Sequence, residues 1–190
     1  LMACTYGGLF TVLAASSFAY IEVLGLSPQA YGLALGSGSL SYLVGTVVCR
    51  RWLRHRSGAE AVQRGAYFTL AGALGMTACA FWPTEANVAW VLGAQWLYAF
   101  GHGIHQPCGQ TGVTAAFPRM AGTAAALAGC GLALTAFAIG LWLGQAMDGS
   151  LRPMASGVAL WGGLTSLVAW TLVRRHGARF GVHEPSETLA

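Results

Sequence analysis

The sequence predicts an all-α membrane protein with six spanning helices. Of its 190 residues, 55% are hydrophobic and 8% are charged, whereas soluble domains carry about 25% charged residues. The apolar residues form long continuous runs, and the period-two alternation of a transmembrane β-barrel is absent. This composition excludes an ordinary soluble enzyme, a disordered chain and a nucleic-acid binder, because too few charged groups are available to cover a water-exposed surface.

The length of the apolar runs sets the number of crossings. A hydrocarbon core of about 30 Å needs about 20 apolar residues per helix, and by that measure residues 1–175 form one bundle of six spans, followed by a polar cytoplasmic tail at 176–190. The short connections contain Pro, Gly, Asn or Asp, which are typical of turns. The spans are Leu1–Ile21, Gln29–Val48, Ala66–Trp82, Val88–Cys108, Gly122–Met147 and Met154–Val173.

The arginines predict the orientation of the spans. All ten basic residues are arginines, and only Arg152 falls on the opposite side from the other nine. Cytoplasmic loops carry an excess of Lys and Arg, so both ends of the chain are predicted to be cytoplasmic. The cluster between spans two and three is expected near anionic lipid headgroups rather than on nucleic acid. The nine are Arg50, Arg51, Arg54, Arg56, Arg64, Arg119, Arg174, Arg175 and Arg179.

The chain begins directly with an apolar span. No basic segment and no cleavage pattern precede it, so a signal peptide is not predicted, and we expect a fragment cut just before this helix. The five cysteines lie in or at the ends of spans without CxxC or metal-site spacing. They are interpreted as small apolar packing residues rather than a disulfide framework.

Span four carries a polar stripe. Gln95, His102 and Gln106 recur at helical spacing with His105 beside them, and Pro107 is expected to kink the helix. Polar groups in a spanning helix are expensive and face a cavity or a partner, so these four side chains are predicted to line a substrate cavity. Hydrogen bonding within a static bundle is the alternative. Three residues of span one either line the same cavity or pack: Tyr6, Ser17 and Tyr20.

Other chemical roles find less support in the sequence. His102 and His105 could ligate a metal, but no Cys, Asp or Glu lies on the same stretch. We therefore predict no metal, no cofactor and no enzymatic activity, while a pH-sensitive role for either histidine stays open. Glu22 and Asp148, at the ends of spans one and five, are expected to be solvated rather than to carry protons, and Gln145 near Asp148 is a further polar candidate.

Small residues form stripes along spans two and five. Such stripes let helix backbones approach closely in lipid, and they are interpreted either as static packing or as a sliding gate. Pro28 precedes Gly32 by four residues, and Pro118 precedes Gly122 by four, about 90 residues later. This repeated Pro–Gly spacing suggests two three-span units of opposite orientation, an inverted 3+3 repeat. The stripe glycines are Gly32, Gly36, Gly122, Gly129 and Gly140.

Several of these segments resemble one transporter family. They are Phe18–Glu22, Ser27–Gln29 with Gly32, Gly103 with Pro107, and above all Phe117–Gly129, with the sequence FPRMAGTAAALAG. Together they resemble the C-terminal half of a major facilitator transporter, and more narrowly the bicyclomycin-resistance (Bcr/CflA-type) drug:proton antiporters. The resemblance runs through nearly the whole chain.

The resemblance implies a function and a setting. It implies efflux of small drug-like molecules by proton-coupled alternating access in a bacterial inner membrane, with an N-terminal six-helix half as partner and with that half holding the proton-coupling carboxylates. Two alternatives remain open. One is transport of a metabolite, sugar or nucleoside by the same superfamily. The other is a self-contained six-helix channel or dimerising membrane protein.

Overall fold

Six long helices form the part of the chain described by the structure, a computed structural model covering residues 1–81 and 87–177. No strand occurs in these two ranges, so the all-α prediction is confirmed there. α1 and α6 continue into π-helical turns, Phe18–Val23 and Ala169–Val173, and a last turn, α7, spans Arg174–His176. The long helices are α1 (Met2–Ser17), α2 (Pro28–Trp52), α3 (Gly58–Phe81), α4 (Val88–Ala116), α5 (Ala121–Ala146) and α6 (Arg152–Val168).

Membrane character is evident in four of these helical segments. Each is long and apolar enough to cross a bilayer: Met2–Val23, Pro28–Trp52, Pro118–Ala146 and Arg152–His176. α3 and α4 have 24 and 29 residues, which is also sufficient length. They are not among the four. Crossing by all six helices stays a prediction.

Two helices extend beyond the predicted spans. α3 begins at Gly58 rather than at 66, because Ser57 accepts a hydrogen bond from the backbone N–H of Glu60 and caps a polar first turn. α4 continues to Ala116 rather than ending at 108. The predicted spans were set by the length of the apolar stretch, and this stretch is only part of each helix. The predicted end of span three at Trp82 and the tail from 178 to 190 lie outside the described residues.

α4 lies at the centre of the bundle. It packs along α2 and α3 and also contacts α1 and α5, while α6 packs against α1 and α3. α3 and α6 bury one face and expose the other, as expected of helices that face lipid. α5 buries only Ile139 and Leu143. α2 packs along α4 but, like α5, it leaves its apolar outer face open. The exposed residues of these two faces are Leu33, Leu40, Leu43, Leu127, Leu134 and Phe137.

Two glycines bring α2 and α4 into close contact. A Cβ on Gly45 would collide with the carbonyl oxygen of Phe100, and one on Gly103 would collide with the carbonyl oxygen of Tyr42. Only glycine therefore permits this backbone approach. Pro107 has no N–H to bond Gly103 four residues earlier, and the Thr46 hydroxyl in α2 lies 3.2 Å from that freed carbonyl oxygen. The proline is thus accommodated within a continuous helix.

The stripe glycines named above do not make this kind of contact. A Cβ on any of the five would meet no atom within 4 Å in the described chain: Gly32, Gly36, Gly122, Gly129 and Gly140. Packing of these five glycines against other helices is therefore not seen within the described chain. They lie on the open faces of α2 and α5, and a role in a gate contact with a partner stays a prediction.

The α2–α4 contact predicts a position-specific cost of a single methyl group. Gly45→Ala should lower the free energy of unfolding by about 1–3 kcal/mol, because the methyl group forces two backbones apart. Gly36→Ala on the same helix is the matched control and should cost nothing. Unfolding in mixed detergent micelles followed by circular dichroism measures both. Equal effects of the two substitutions would contradict the contact.

Candidate functional site

A cavity of about 380 Å³ lies between α1 and α2, with α4 as its floor. Its size is at the lower end of the range for pockets that hold drug-sized molecules. None of the described residues that line it carries a formal charge. The lining residues are Tyr6, Leu9, Val12 and Leu13 from α1, Leu35, Gly38, Ser39 and Tyr42 from α2, and Gln95, Tyr98, Ala99, His102 and Gln106 from α4.

Gln106 joins all three walls at one end of the cavity. Its Oε1 accepts a hydrogen bond from the hydroxyl of Tyr42 in α2. Its Nε2 donates to the hydroxyl oxygen of Tyr6 in α1, at 3.0 Å. The amide thus uses one acceptor and one donor to hold a tyrosine on each side. Because Tyr6 accepts this bond, its own hydroxyl proton remains available to a ligand.

Gln95 marks the other end, about 16 Å away along α4 by the rise of 1.5 Å per residue. Its Oε1 accepts a 2.6 Å hydrogen bond from the hydroxyl of Tyr20, and both side chains are buried. Tyr20 does not line the cavity itself. It fixes the orientation of the Gln95 amide from behind, in the π-helical turn that extends α1. The nearby hydroxyls of Ser16 and Tyr31, 2.9 Å apart, join α1 to α2.

His102 forms the middle of the floor. Its Nδ1 lies 2.9 Å from the hydroxyl oxygen of Thr5 in α1. The Tyr6 ring meets the imidazole edge-on at 5.0 Å between centroids, and the Tyr42 ring lies 5.6 Å away on a tilted plane. These contacts fix the imidazole between the two tyrosines that Gln106 also holds. Three predicted cavity residues, His102, Gln106 and Tyr6, are therefore brought together.

His105 does not belong to this group. It is completely buried, and its Nε2 lies 3.1 Å from the carbonyl oxygen of Val62 in α3. The predicted cavity role is wrong for this residue, because its position on α4 turns the ring toward α3. Among the described residues, nothing hydrogen-bonds its Nδ1 or the buried hydroxyl of Tyr98. In the same part of the chain, no group of three potential metal ligands lies together.

The remaining candidates lie away from the cavity. Ser17 is exposed and does not line it, which corrects the prediction. The buried serine of this turn is Ser16, one residue earlier in α1. Glu22, Gln145 and Asp148 are all exposed. Pro107 lies in the helix directly after Gln106.

The α2 wall of the cavity was not predicted. Leu35, Gly38, Ser39 and Tyr42 line it, and none of these four was among the predicted cavity residues. The signal was present as a stripe at steps of three and four residues that ends in a tyrosine. A tyrosine within an apolar span needs a polar partner, and Gln106 is that partner.

Comparison with known proteins returned no match, since no family model, curated protein or solved structure is significantly similar to the chain. What the cavity can do is accordingly inferred from its own geometry and chemistry.

The Tyr20–Gln95 bond predicts a measurable stabilisation. Tyr20→Phe leaves the buried amide oxygen of Gln95 without its donor, which should lower the free energy of unfolding by about 1–2 kcal/mol. Tyr67→Phe is the control, because the Tyr67 side chain is exposed, and it should change nothing. Detergent-titrated unfolding measures both variants. A neutral Tyr20→Phe would show that the bond does not form.

The turn between α5 and α6 predicts an effect on the ionisation of Asp148. Asp148 Oδ1 accepts from the Ser150 hydroxyl at 2.6 Å and from its N–H at 3.0 Å. The hydroxyl bond chiefly holds the pKa of Asp148 below its ordinary value. The charged form therefore stabilises the turn above the pKa of the unfolded chain, and this stabilisation is lost as pH falls through the folded pKa.

Carboxyl-carbon NMR titration in micelles tests this turn. Ser150→Ala should raise the pKa of Asp148 toward its ordinary value. Ser156→Ala removes a hydroxyl that bonds the Pro153 carbonyl instead, and it should leave the titration of Asp148 unchanged. An Asp148 pKa that stays low in Ser150→Ala would contradict the assignment.

Proposed function

We propose that the chain is the C-terminal half of a major facilitator transporter that exports small drug-like molecules in exchange for protons. The observation that carries this proposal is the cavity between α1 and α2. Its floor is the polar stripe of α4, and its walls are apolar and aromatic. Such a mixture of apolar surface with a few oriented polar groups is typical of small-molecule sites.

The chemistry of the walls favours an uncharged cargo. No formally charged side chain is found among the described residues around the cavity, so a strongly charged ligand would lose its hydration without gaining a partner. Tyr6, Tyr42 and Tyr98 offer ring surfaces, and Gln95, Gln106 and His102 offer hydrogen bonds. A ring-containing molecule with several polar atoms suits this set better than a sugar, whose many hydroxyls would need more partners.

The pairing of the helices supports an inverted 3+3 arrangement of all six. Exchanging the first three helices with the last three turns the α2–α4 contact into the α5–α1 contact. The same exchange turns the α3–α4 contact into the α6–α1 contact, and all four contacts are extensive. α2 and α5 then hold equivalent places, and both present open apolar faces. These faces are where a second six-helix half would pack.

Alternating access by two such halves would move the cavity walls against each other. Proton coupling belongs to the same proposal, and its carboxylates are expected in the other half by the family resemblance. Two other classes compete with it. A metabolite, sugar or nucleoside carrier would share the architecture, and a dimerising six-helix protein would cover the faces of α2 and α5 with a second copy.

A transport assay tests the proposal, and it uses the chain together with the proposed N-terminal half. His102→Ala, Gln106→Ala and Gln95→Ala should each lower proton-driven uptake of neutral aromatic dyes into everted vesicles about tenfold, the equivalent of about 1.4 kcal/mol. Ser17→Ala, outside the cavity, is the matched control. Unchanged uptake in all three variants would reject the cavity, and loss only of sugar or nucleoside uptake would favour the first competitor.

A further inference from the structure

Two cysteines meet at the interface between α2 and α4. The Sγ atoms of Cys49 and Cys108 are 3.5 Å apart, and both residues are buried, at 1% and 3% exposure. The Cys49 sulfur also lies 3.6 Å from the carbonyl oxygen of Ile104. Sequence spacing does not indicate this pair, because the two thiols are 59 residues apart along the chain and belong to different helices.

The backbones at this point are already held at short range. Cys49 follows Gly45 by one helical turn, and Gly45 is one of the two glycines that permit the close approach of α2 to α4. A disulfide has an S–S length of about 2.05 Å, so the two sulfur atoms need to approach by about 1.5 Å more. Disulfide formation therefore requires a small rotation of the two side chains.

One of the two thiols borders a second hollow. This hollow, of about 670 Å³, lies at the end of the bundle where α3 begins and α4 ends, and Cys108 lines it while Cys49 does not. Its lining residues are mostly apolar, and His176 is among them. Cys108 therefore borders a space large enough for a small uncharged oxidant, and Cys49 does not.

We propose that Cys49 and Cys108 form a redox-active pair that hydrogen peroxide oxidises to a disulfide. The Cys108 sulfur attacks one peroxide oxygen, the O–O bond breaks, and a sulfenic acid and one water form, with the thiol proton passing to that water. The Cys49 sulfur then attacks the sulfenic sulfur, the S–O bond breaks, and its proton leaves with the oxygen as a second water. The two sulfurs lose two electrons together, and the peroxide gains them.

The other cysteines are placed differently. Cys4 and Cys79 are half-buried and Cys130 is exposed, and within the described residues none of the three has a sulfur neighbour of the kind that joins Cys49 to Cys108. The site is therefore specific to one helix pair. Its oxidation would couple covalently the two helices that carry Tyr42 and Gln106, just beyond the end of the cavity that those residues close.

Intact-mass measurement on the full chain in liposomes tests the pair. In the variant Cys4→Ala, Cys79→Ala, Cys130→Ala, which keeps only Cys49 and Cys108, peroxide should remove two hydrogens from the monomer and protect both thiols from alkylation. Dithiothreitol should restore the mass and the alkylation. The matched control, Cys4→Ala, Cys49→Ala, Cys130→Ala, keeps two thiols in different helices and should show no such loss.

Peptide mapping of the unsubstituted chain gives a second test that does not depend on the folding of these variants. After peroxide treatment and chymotryptic digestion, a cross-linked peptide should join the segment of Cys49 to that of Cys108. The proposal is overturned if both thiols remain open to alkylation in the denatured protein, or if Cys108 is oxidised to a sulfinic acid with Cys49 unchanged. Neither readout depends on transport, so the result stands apart from the proposed function.

Discussion

The bundle depends on the close contact between α2 and α4. Two glycines, Gly45 and Gly103, remove the side chains that would hold these backbones apart. Pro107 frees a carbonyl oxygen at the same level, and Thr46 supplies a hydroxyl to it. A buried carbonyl oxygen without a hydrogen-bond donor costs free energy, so the proline and the threonine depend on each other. Because α4 also packs against three other helices, the position of α2 is set relative to the whole bundle.

The same contact determines where the cavity can form. α1 and α2 both pack against α4, and the cavity lies between them next to the polar stripe of α4. The polar atoms at the two ends of that space are paired across helices, Tyr20 with Gln95 and Tyr42 with Gln106. Hydrophobic burial cannot position helices in a solvent that is itself apolar, so glycine contacts and a few hydrogen bonds carry this task.

Composition and the spacing of apolar runs predicted the helical class and the approximate place of each helix. They did not predict that α3 begins at Gly58 and that α4 ends at Ala116, because these helices continue beyond their apolar stretches. The stripe of α4 identified Gln95, His102 and Gln106 as a group, since period alone places them on one face. It could not separate His105, because only the position of α3 decides which way that ring turns. The tyrosine of the α2 wall and the Cys49–Cys108 pair depend on contacts between distant segments, and a single sequence does not report those.

Gln106 has a mechanical consequence. One planar group holds a tyrosine of α1 by its nitrogen and a tyrosine of α2 by its oxygen. A rotation of this amide that improves one bond must misalign the other, because the two atoms are rigidly joined through one carbon. The Gln106 amide therefore couples the two walls. A displacement of Tyr6 changes the torsion angle of the amide and so affects its bond to Tyr42, although the two tyrosines need not touch.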